Sequence, residues 1–504
     1  MYLLLALLLP AAGFVLCLTV LRQSRAAAQL VALTAAGVSL LAGLGMAPDV
    51  MQDPTKLSQG LSLNWIPYPP IHFSIGVDGL SLWLILATSV LSLIAIVTAG
   101  QRDARFLGWI LLLQTGITGV FCAQDLFLFF VFFELTLVPC LFLMGQYGKD
   151  SGGATASSAT VKFFVYTFAG SVLMLAAITY LFLKSGTFDY QNMLLQIRAG
   201  SFRLSPAEQT PLFLAFFLAF AVKTPLFPFH SWQADAYATA PSPLGIVMAG
   251  LMGKLGTYGL LRFCLPLFPN AARECAEWIS GLAIVAILYG ALVAIVQPNI
   301  KRLLAFSSLS HLGFVILGIF SFHINGLDGA AYQMVCHAIT TGALFALAGF
   351  LEDRKGSGEI SAFGGLASHT PWLATTFLVA ALASSGLPSL NNFVGEYLIL
   401  QGVAFAGFGY AAAAAVGVIL SAVYLLWMYQ RTFLGAKPDE PVADLNSTEA
   451  LAIAPLLILM VWMGVASNTF LPPQNAVNQK ILEQTVMNVE FRVATPAPEA
   501  THGN

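Results

Sequence analysis

Phe216-Phe-Leu-Ala-Phe-Ala-Val-Lys-Thr-Pro-Leu-Phe-Pro-Phe-His230 is an apolar run that sets Lys223 beside two prolines, Pro225 and Pro228. It sits inside an apolar stretch, 208–235, long enough to cross a bilayer, which takes about 20 residues. Proline has no N–H to donate, so the helix must break there. The carbonyls it frees must then be satisfied inside protein or beside water. An amine in such a place costs at least about 2.5–3.5 kcal/mol on insertion scales. A broken, charged, apolar span therefore indicates a membrane protein with a polar interior.

The rest of the chain agrees. Of 504 residues, 58% are hydrophobic and 9% charged, against about 25% charged in a soluble domain. The net charge of -2 gives no reason to expect a nucleic-acid partner. The lipid bilayer is the expected surrounding. The six cysteines are scattered without a CxxC pair, which excludes a conventional zinc or iron–sulfur ligand set, and they read as packing residues. Neither GxGxxG nor a Walker loop occurs, so no nucleotide or redox centre is visible in this chain.

Spans appear near 2–20, 28–46, 78–99, 107–123, 125–146, 161–183, 208–235, 243–264, 276–296, 302–322, 328–350, 371–408, 412–433 and 449–468, about fourteen at bilayer length. The expected fold is an all-α polytopic membrane protein. The first stretch has no basic residue before it, and Arg22 and Arg25 follow it, which favours a retained helix over a cleaved signal. A second break, Ser384-Ser-Gly-Leu-Pro-Ser-Leu-Asn-Asn392, interrupts 371–408. Broken helices at matching places in two halves point to a transport site. The expected organisation is N-terminal helices in 1–106, five-helix repeats in 107–264 and 276–433, a last span within 434–472, and a polar tail in 473–504. That tail is expected to hold a short surface helix and a frayed end. Loops alternate in charge: Arg22, Arg25, Arg102, Arg105, Lys149, Lys301, Arg302, Arg354, Lys355, Arg431 and Lys437 fall on one side, with Lys56, Lys184, Arg198, Arg203 and Arg273 on the other. The richer side is cytoplasmic by the positive-inside rule, placing both termini on the non-cytoplasmic side.

A few ionisable residues lie within spans. Glu134 follows Leu126-Phe-Leu-Phe-Phe-Val-Phe-Phe, Lys223 precedes the first break, and Glu396 follows the second. Lys254 lies mid-span among Gly250, Gly253 and Gly256, small residues that let helices approach closely. His311 and His337 occupy two further spans, and His230 follows the first break, where it is an inlet candidate. Histidine is the natural carrier of a proton relay, and Ser307, Ser308, Ser310, Thr340 and Thr341 could hold water between the rings. Arg262, near a helix end, reads as a snorkelling residue. No carboxylate stands at helical spacing from either histidine, so a metal site is not expected. No arginine lies near a break to hold an organic anion. The set as a whole reads as a path for protons or small cations.

Ala221-Val-Lys-Thr-Pro-Leu-Phe-Pro-Phe-His-Ser-Trp232, Asp235-Ala-Tyr-Ala-Thr-Ala-Pro241, Gly253-Lys-Leu-Gly-Thr-Tyr-Gly-Leu-Leu-Arg262, Gln297-Pro-Asn-Ile-Lys-Arg-Leu-Leu-Ala-Phe-Ser-Ser-Leu-Ser-His-Leu-Gly-Phe314 and Gly386-Leu-Pro-Ser-Leu-Asn-Asn-Phe-Val-Gly-Glu396 resemble the proton-pumping antiporter-like subunits of respiratory NADH:quinone oxidoreductase (complex I). Phe133-Glu-Leu-Thr-Leu-Val-Pro139 matches the acidic fifth helix of that family, and Glu396 matches its branch with Glu, where sister subunits carry Lys. The resemblance implies fourteen helices in two inverted five-helix repeats, each with a broken helix. It implies a coupled ion pair of Glu134 and Lys223, Lys254 as central carrier, His311 and His337 as relay, and Glu396 as exit group. NADH, FMN, iron–sulfur clusters and quinone would lie in partner subunits, with no cofactor in this chain. The partners implied are other membrane subunits, sister antiporter-like subunits among them, in a bacterial-type inner membrane. The alternatives are a subunit of a multisubunit Na⁺/H⁺ antiporter or of a membrane-bound hydrogenase-type complex. One position departs: the family commonly has histidine where this chain has Tyr237, which shifts the inlet role to His230.

Overall fold

The structure, a computed structural model, describes residues 1–438 and 440–493, the last eight by backbone alone. Among them ten helices are long and apolar enough to cross a membrane, and three shorter apolar helices accompany them. Leu30, Leu41, Val161, Ile419, Ile458 and Val461 are exposed on their outer faces. Such a continuous apolar surface would aggregate in water and is what lipid requires.

The N-terminal helices α1 (Tyr2–Leu18) and α2 (Arg25–Gln52) pack together. An antiparallel hairpin follows, β1 (Ser58–Ile66) with β2 (Ile71–Val77). It is the one sheet among the described residues, and the membrane-spanning fold around it is all-helical as expected. The hairpin escapes an apolar-span reading because β1 is largely exposed and only β2 buries a face, through Ile71, Ile75 and Val77. Asp78 then starts α3 (Ser81–Val97), its Oδ1 accepting from the Leu80 and Ser81 amides.

The helix α4 (Ala104–Cys122) leads to a span made of two pieces, α5 (Leu126–Leu135) and α6 (Leu137–Tyr147). Asp125 caps α5 by accepting from Phe127 and Leu128. The interruption has a cause: Pro139 lacks the N–H that would have reached the Leu135 carbonyl. A long α7 (Ala156–Ser185) ends on Gly186 at φ 75°, and a short amphipathic α8 (Tyr190–Ala199) lies beyond it.

The first broken span is α9 (Pro206–Lys223) followed by α10 (Ser231–Thr239), so the prolines end the helix where the sequence places them. The next span is wholly buried. It is not one regular helix: α11 (Ser242–Val247), α12 (Gly253–Gly259) and α13 (Leu265–Leu267) are joined by π-helical segments at Met248–Met252 and Leu260–Cys264. Such π segments concentrate at functional sites.

After α14 (Pro269–Ile295) and α15 (Ile300–Ile319) comes the 32-residue α16 (Ile324–Lys355), whose membrane-length core is entirely buried. The second broken span is α17 (Pro371–Ser384) and α18 (Asn391–Ala406), separated by a turn with Gly386 at φ 76°. The helices α19 (Phe408–Phe433) and α20 (Ser447–Val465) complete the spans. The tail is a 23-residue helix, α21 (Leu471–Val493), which packs on α16 and α13. It is longer and better docked than a short surface helix. Its anchor is polar, with Asn475 and Asn478 donating to Asp328 of α16, so no apolar stripe announces it. The end expected to fray, 494–504, lies outside the described residues.

Candidate functional site

The π segment before α12 turns Lys254 into the protein interior, where it is fully buried. Its Nζ lies 2.6 Å from Nδ1 of His337 on α16 and donates to the Ala249 carbonyl at 3.3 Å. The His337 ring is 5.6 Å, centre to centre, from that of His311 on α15. His311 Nδ1 is 2.8 Å from Oε1 of Glu396 on α18, and Gln333 Nε2 donates to the same oxygen at 3.1 Å. Four of the sequence-derived residues thus form one buried line crossing from the first half of the chain to the second.

Two members of this line are unsatisfied in a telling way. His337 Nε2 and Glu396 Oε2 are buried and find no hydrogen-bond partner among the described residues. An orphaned buried polar atom costs about 1–3 kcal/mol, so such atoms persist where a proton or a water is handled. On the other side of His311, Nε2 approaches Tyr424 at 3.4 Å and Ser384 at 3.5 Å. Ser307 binds the Tyr424 hydroxyl at 2.8 Å. With Nε2 accepting from a hydroxyl, Nδ1–H is left to donate to Glu396.

Lys223 is equally buried but differently held. Its Nζ donates to Thr136 Oγ1 at 3.0 Å and to the Phe133 carbonyl at 3.5 Å, and it sits 4.5 Å from the Phe133 ring centre. Thr136 is the residue at the α5–α6 interruption, so the kink supplies the lysine's hydroxyl partner. The direct ion pair expected with Glu134 is not formed in this conformation. Glu134 is half-buried, on the preceding turn of α5. One residue beyond Lys223, Thr224 donates to the Gly253 carbonyl at 3.3 Å. That bond ties the first break to the segment bearing Lys254.

His230 does not join the line. It stacks on Phe227, with Tyr289 and Phe306 around it, half-buried at the first break. Arg262 does not snorkel. It is buried and bound to Asp78 at 2.5 Å, because β2 delivers a carboxylate that no span-by-span reading could pair with it. Ser310 turns from the line to the Ile287 carbonyl, while Thr340 donates to Asn391 and Asn392 of the second broken span.

Sequence reasoning missed several polar groups. Asp235 on α10 is held by Lys162 of α7 at 2.8 Å and Arg302 of α15 at 2.7 Å. Lys301, counted among loop charges, is buried against Glu352 at 2.5 Å. Gln333, Ser384 and Tyr424 gave no signal, since uncharged polar residues in spans are common. The proline at 139 was the available sign of Thr136.

The chain matches, over residues 123–423, the model of the family described as NADH:quinone oxidoreductase/Mrp antiporter, TM. It belongs to this family. The match takes in every residue of the buried line together with Glu134 and Lys223. Among curated relatives of the NADH:quinone oxidoreductase/Mrp antiporter family, NADH-quinone oxidoreductase subunit M of Rickettsia prowazekii is 40% identical over 81% of this chain and 83% of its own. NADH-ubiquinone oxidoreductase chain 4 of Marchantia polymorpha is 36% identical over 83% and 84%. A chain of respiratory complex I from Thermus thermophilus with bound NADH superposes with a TM-score of 0.88 at 33% identity, covering 96% of this chain and all of that one. A chain of the Mrp complex from Dietzia sp. DQ12-45-1b reaches 0.83 at 22% identity over 96% of this chain and 98% of its own, a likeness of fold.

Proposed function

We propose that this chain is the M-type proton-translocating subunit of an NADH:quinone oxidoreductase. Electron transfer occurs in partner subunits, which hold NADH, FMN, iron–sulfur clusters and quinone, and this chain couples it to proton movement. The observation that carries the reading is the line Lys254–His337–His311–Glu396, built of groups that exchange protons and buried where charge has no other use. The curated relatives named above carry oxidoreductase subunit names, and the antiporter likeness is one of fold, so the Na⁺/H⁺ and hydrogenase alternatives are not adopted.

The mechanism follows from the two arrangements open to Lys223. Held by Thr136 it has only neutral partners; moved toward Glu134 it gains a counter-charge. In a low-dielectric interior, gaining or losing one ion-pair partner changes a proton affinity by orders of magnitude. Partner-driven movement of α5 or α9 would therefore load or unload Lys223. The Thr224–Gly253 bond would carry the change to Lys254. The proton then passes from Lys254 to His337, across the 5.6 Å between ring centres to His311, and on to Glu396 as exit group. His230 is the proposed inlet at the first break.

Fourteen crossings accommodate the helices, with α5–α6, α9–α10, α11–α13 and α17–α18 each counted as one. Both broken spans then fall fourth in a group of five, α4 to α13 and α14 to α19. An odd number of crossings inverts the second group relative to the first, which supports the inverted repeat. The membrane is a bacterial-type inner membrane with both termini on the non-cytoplasmic side, supported by the loop charges. The neighbours are other membrane subunits, sister antiporter-like chains among them.

The test replaces Glu134 by Gln and Lys223 by Ala in the assembled complex. NADH-driven proton uptake into vesicles should fall at least about tenfold, the loss of a partner worth over 1.4 kcal/mol. Undiminished pumping by complexes with normal subunit content would reject the reading.

A further inference from the structure

Tyr237 lies on α10, the second half of the first broken span, and is buried. It occupies the place where the resemblance expects a histidine, and a phenol does not titrate near neutral pH. Its hydroxyl has a defined use instead: it donates to the Met248 carbonyl at 3.2 Å. Met248 opens the π segment Met248–Met252. The next carbonyl along, that of Ala249, accepts from Lys254 Nζ. The Tyr237 ring also stands edge-on to Phe345 at 5.5 Å, and Phe345 lies on α16, the helix that carries His337. One side chain thus touches the second half of a broken span, the segment that aims Lys254, and the helix that carries His337.

We propose that Tyr237 is a positioning residue that couples α10 to Lys254 by fixing the Met248–Met252 carbonyls through its hydroxyl. The inference rests on the functional reading above and adds a connection to it. The break between α9 and α10 gives α10 freedom to tilt against α9. Trp232 Nε1 holds the start of α10 to the Val222 carbonyl at 3.0 Å, and Asp235 pins its middle to Lys162 and Arg302. A tilt about those points moves Tyr237, and with it the carbonyl that accepts from Lys254. The titratable groups along the line from Lys254 are His337, His311 and Glu396, with Tyr424 against His311 and buried Cys336 beside Glu396; Cys140 lies near Tyr237, and Lys254 has no ion pair among the described residues. Its separation from His337 is therefore the quantity Tyr237 sets.

The test uses the assembled complex in native membrane vesicles, with Tyr237→Phe as the main variant. Quinone-linked NADH turnover and vesicle acidification should fall about fivefold, as for one lost hydrogen bond. The pH profile of turnover should be displaced, while NADH oxidation by an artificial acceptor stays at its wild-type level. Wild-type turnover with an unmoved pH profile would overturn the proposal, as would slowed turnover on an unmoved profile, which marks a merely structural role. If Tyr237→Phe does not assemble, 3-fluorotyrosine at 237 keeps the size and alters only the acidity of the hydroxyl. A more acidic hydroxyl is a stronger donor to the Met248 carbonyl, so the pH profile of turnover should again be displaced, and an unmoved profile would overturn the proposal. Lys254→Ala, measured alongside, separates the two claims. Retained pumping there would sink the relay itself, whereas lost pumping with an unaffected Tyr237→Phe complex would sink only the positioning role.

Discussion

Arg262 and Asp78 show how one pairing governs a buried charge. Both are nearly inaccessible, and the guanidinium also lies 5.8 Å from the Tyr258 ring centre. Removing one member leaves the other buried and unpaired, which costs about 3–5 kcal/mol, while replacing both by apolar groups of like size is far milder. Arg262→Ala should therefore lower the thermal stability of the purified complex markedly, and Arg262→Leu combined with Asp78→Leu should recover most of it. Equal losses in the single and double variants would show that the pair is not the determinant. Thr136 offers a second residue-scale case. Thr136→Val keeps the shape and removes the hydroxyl that Lys223 donates to. Pumping should fall by about the fivefold that one hydrogen bond represents, and an unchanged rate would show that Lys223 spends its time elsewhere.

At the scale of elements, the site depends on close approach between α9 and α12. A Cβ on Gly256 would stand 2.1 Å from Thr224 Oγ1 and 2.4 Å from the Phe220 carbonyl. Gly256→Ala must therefore push the two apart, breaking the Thr224–Gly253 bond beside both lysines. Pumping should drop further than complex abundance does, as quantified on the same membranes, and parallel losses would instead mark a folding defect. The glycines around Lys254 were legible in the sequence as a close-packing signal, and the prolines at 225 and 228 ended α9 where they stand. What the sequence concealed were elements whose signal is not apolar periodicity. The hairpin has one exposed strand, α21 docks through asparagines on Asp328, and π segments differ from α-helix only by one carbonyl shift. The kink at Thr136 was readable from Pro139 alone.

On the scale of the whole molecule, two halves each contribute a broken span, and the buried line joins them. Lys254 comes from the first half, His337, His311 and Glu396 from the second. Each of these residues was visible in the sequence because charge is scarce in the spans. Their contacts were not, since the partners are separated by 83 residues in one case and 85 in the other. Along this line nitrogen donors outnumber carboxylates, whereas hard cations prefer several oxygen ligands. NADH-driven pumping in sodium-free buffer should accordingly match that in sodium buffer, and a sodium requirement would point to exchange. The central claim is that the line carries protons, and Glu396→Gln addresses it most directly. The amide can still accept from His311 and stay beside Gln333, yet it cannot take up a proton. The measurement is the number of protons moved per NADH oxidised by the assembled complex in sealed vesicles. A ratio clearly below wild type, with subunit content intact, is the predicted result; an unchanged ratio at full turnover would contradict the account.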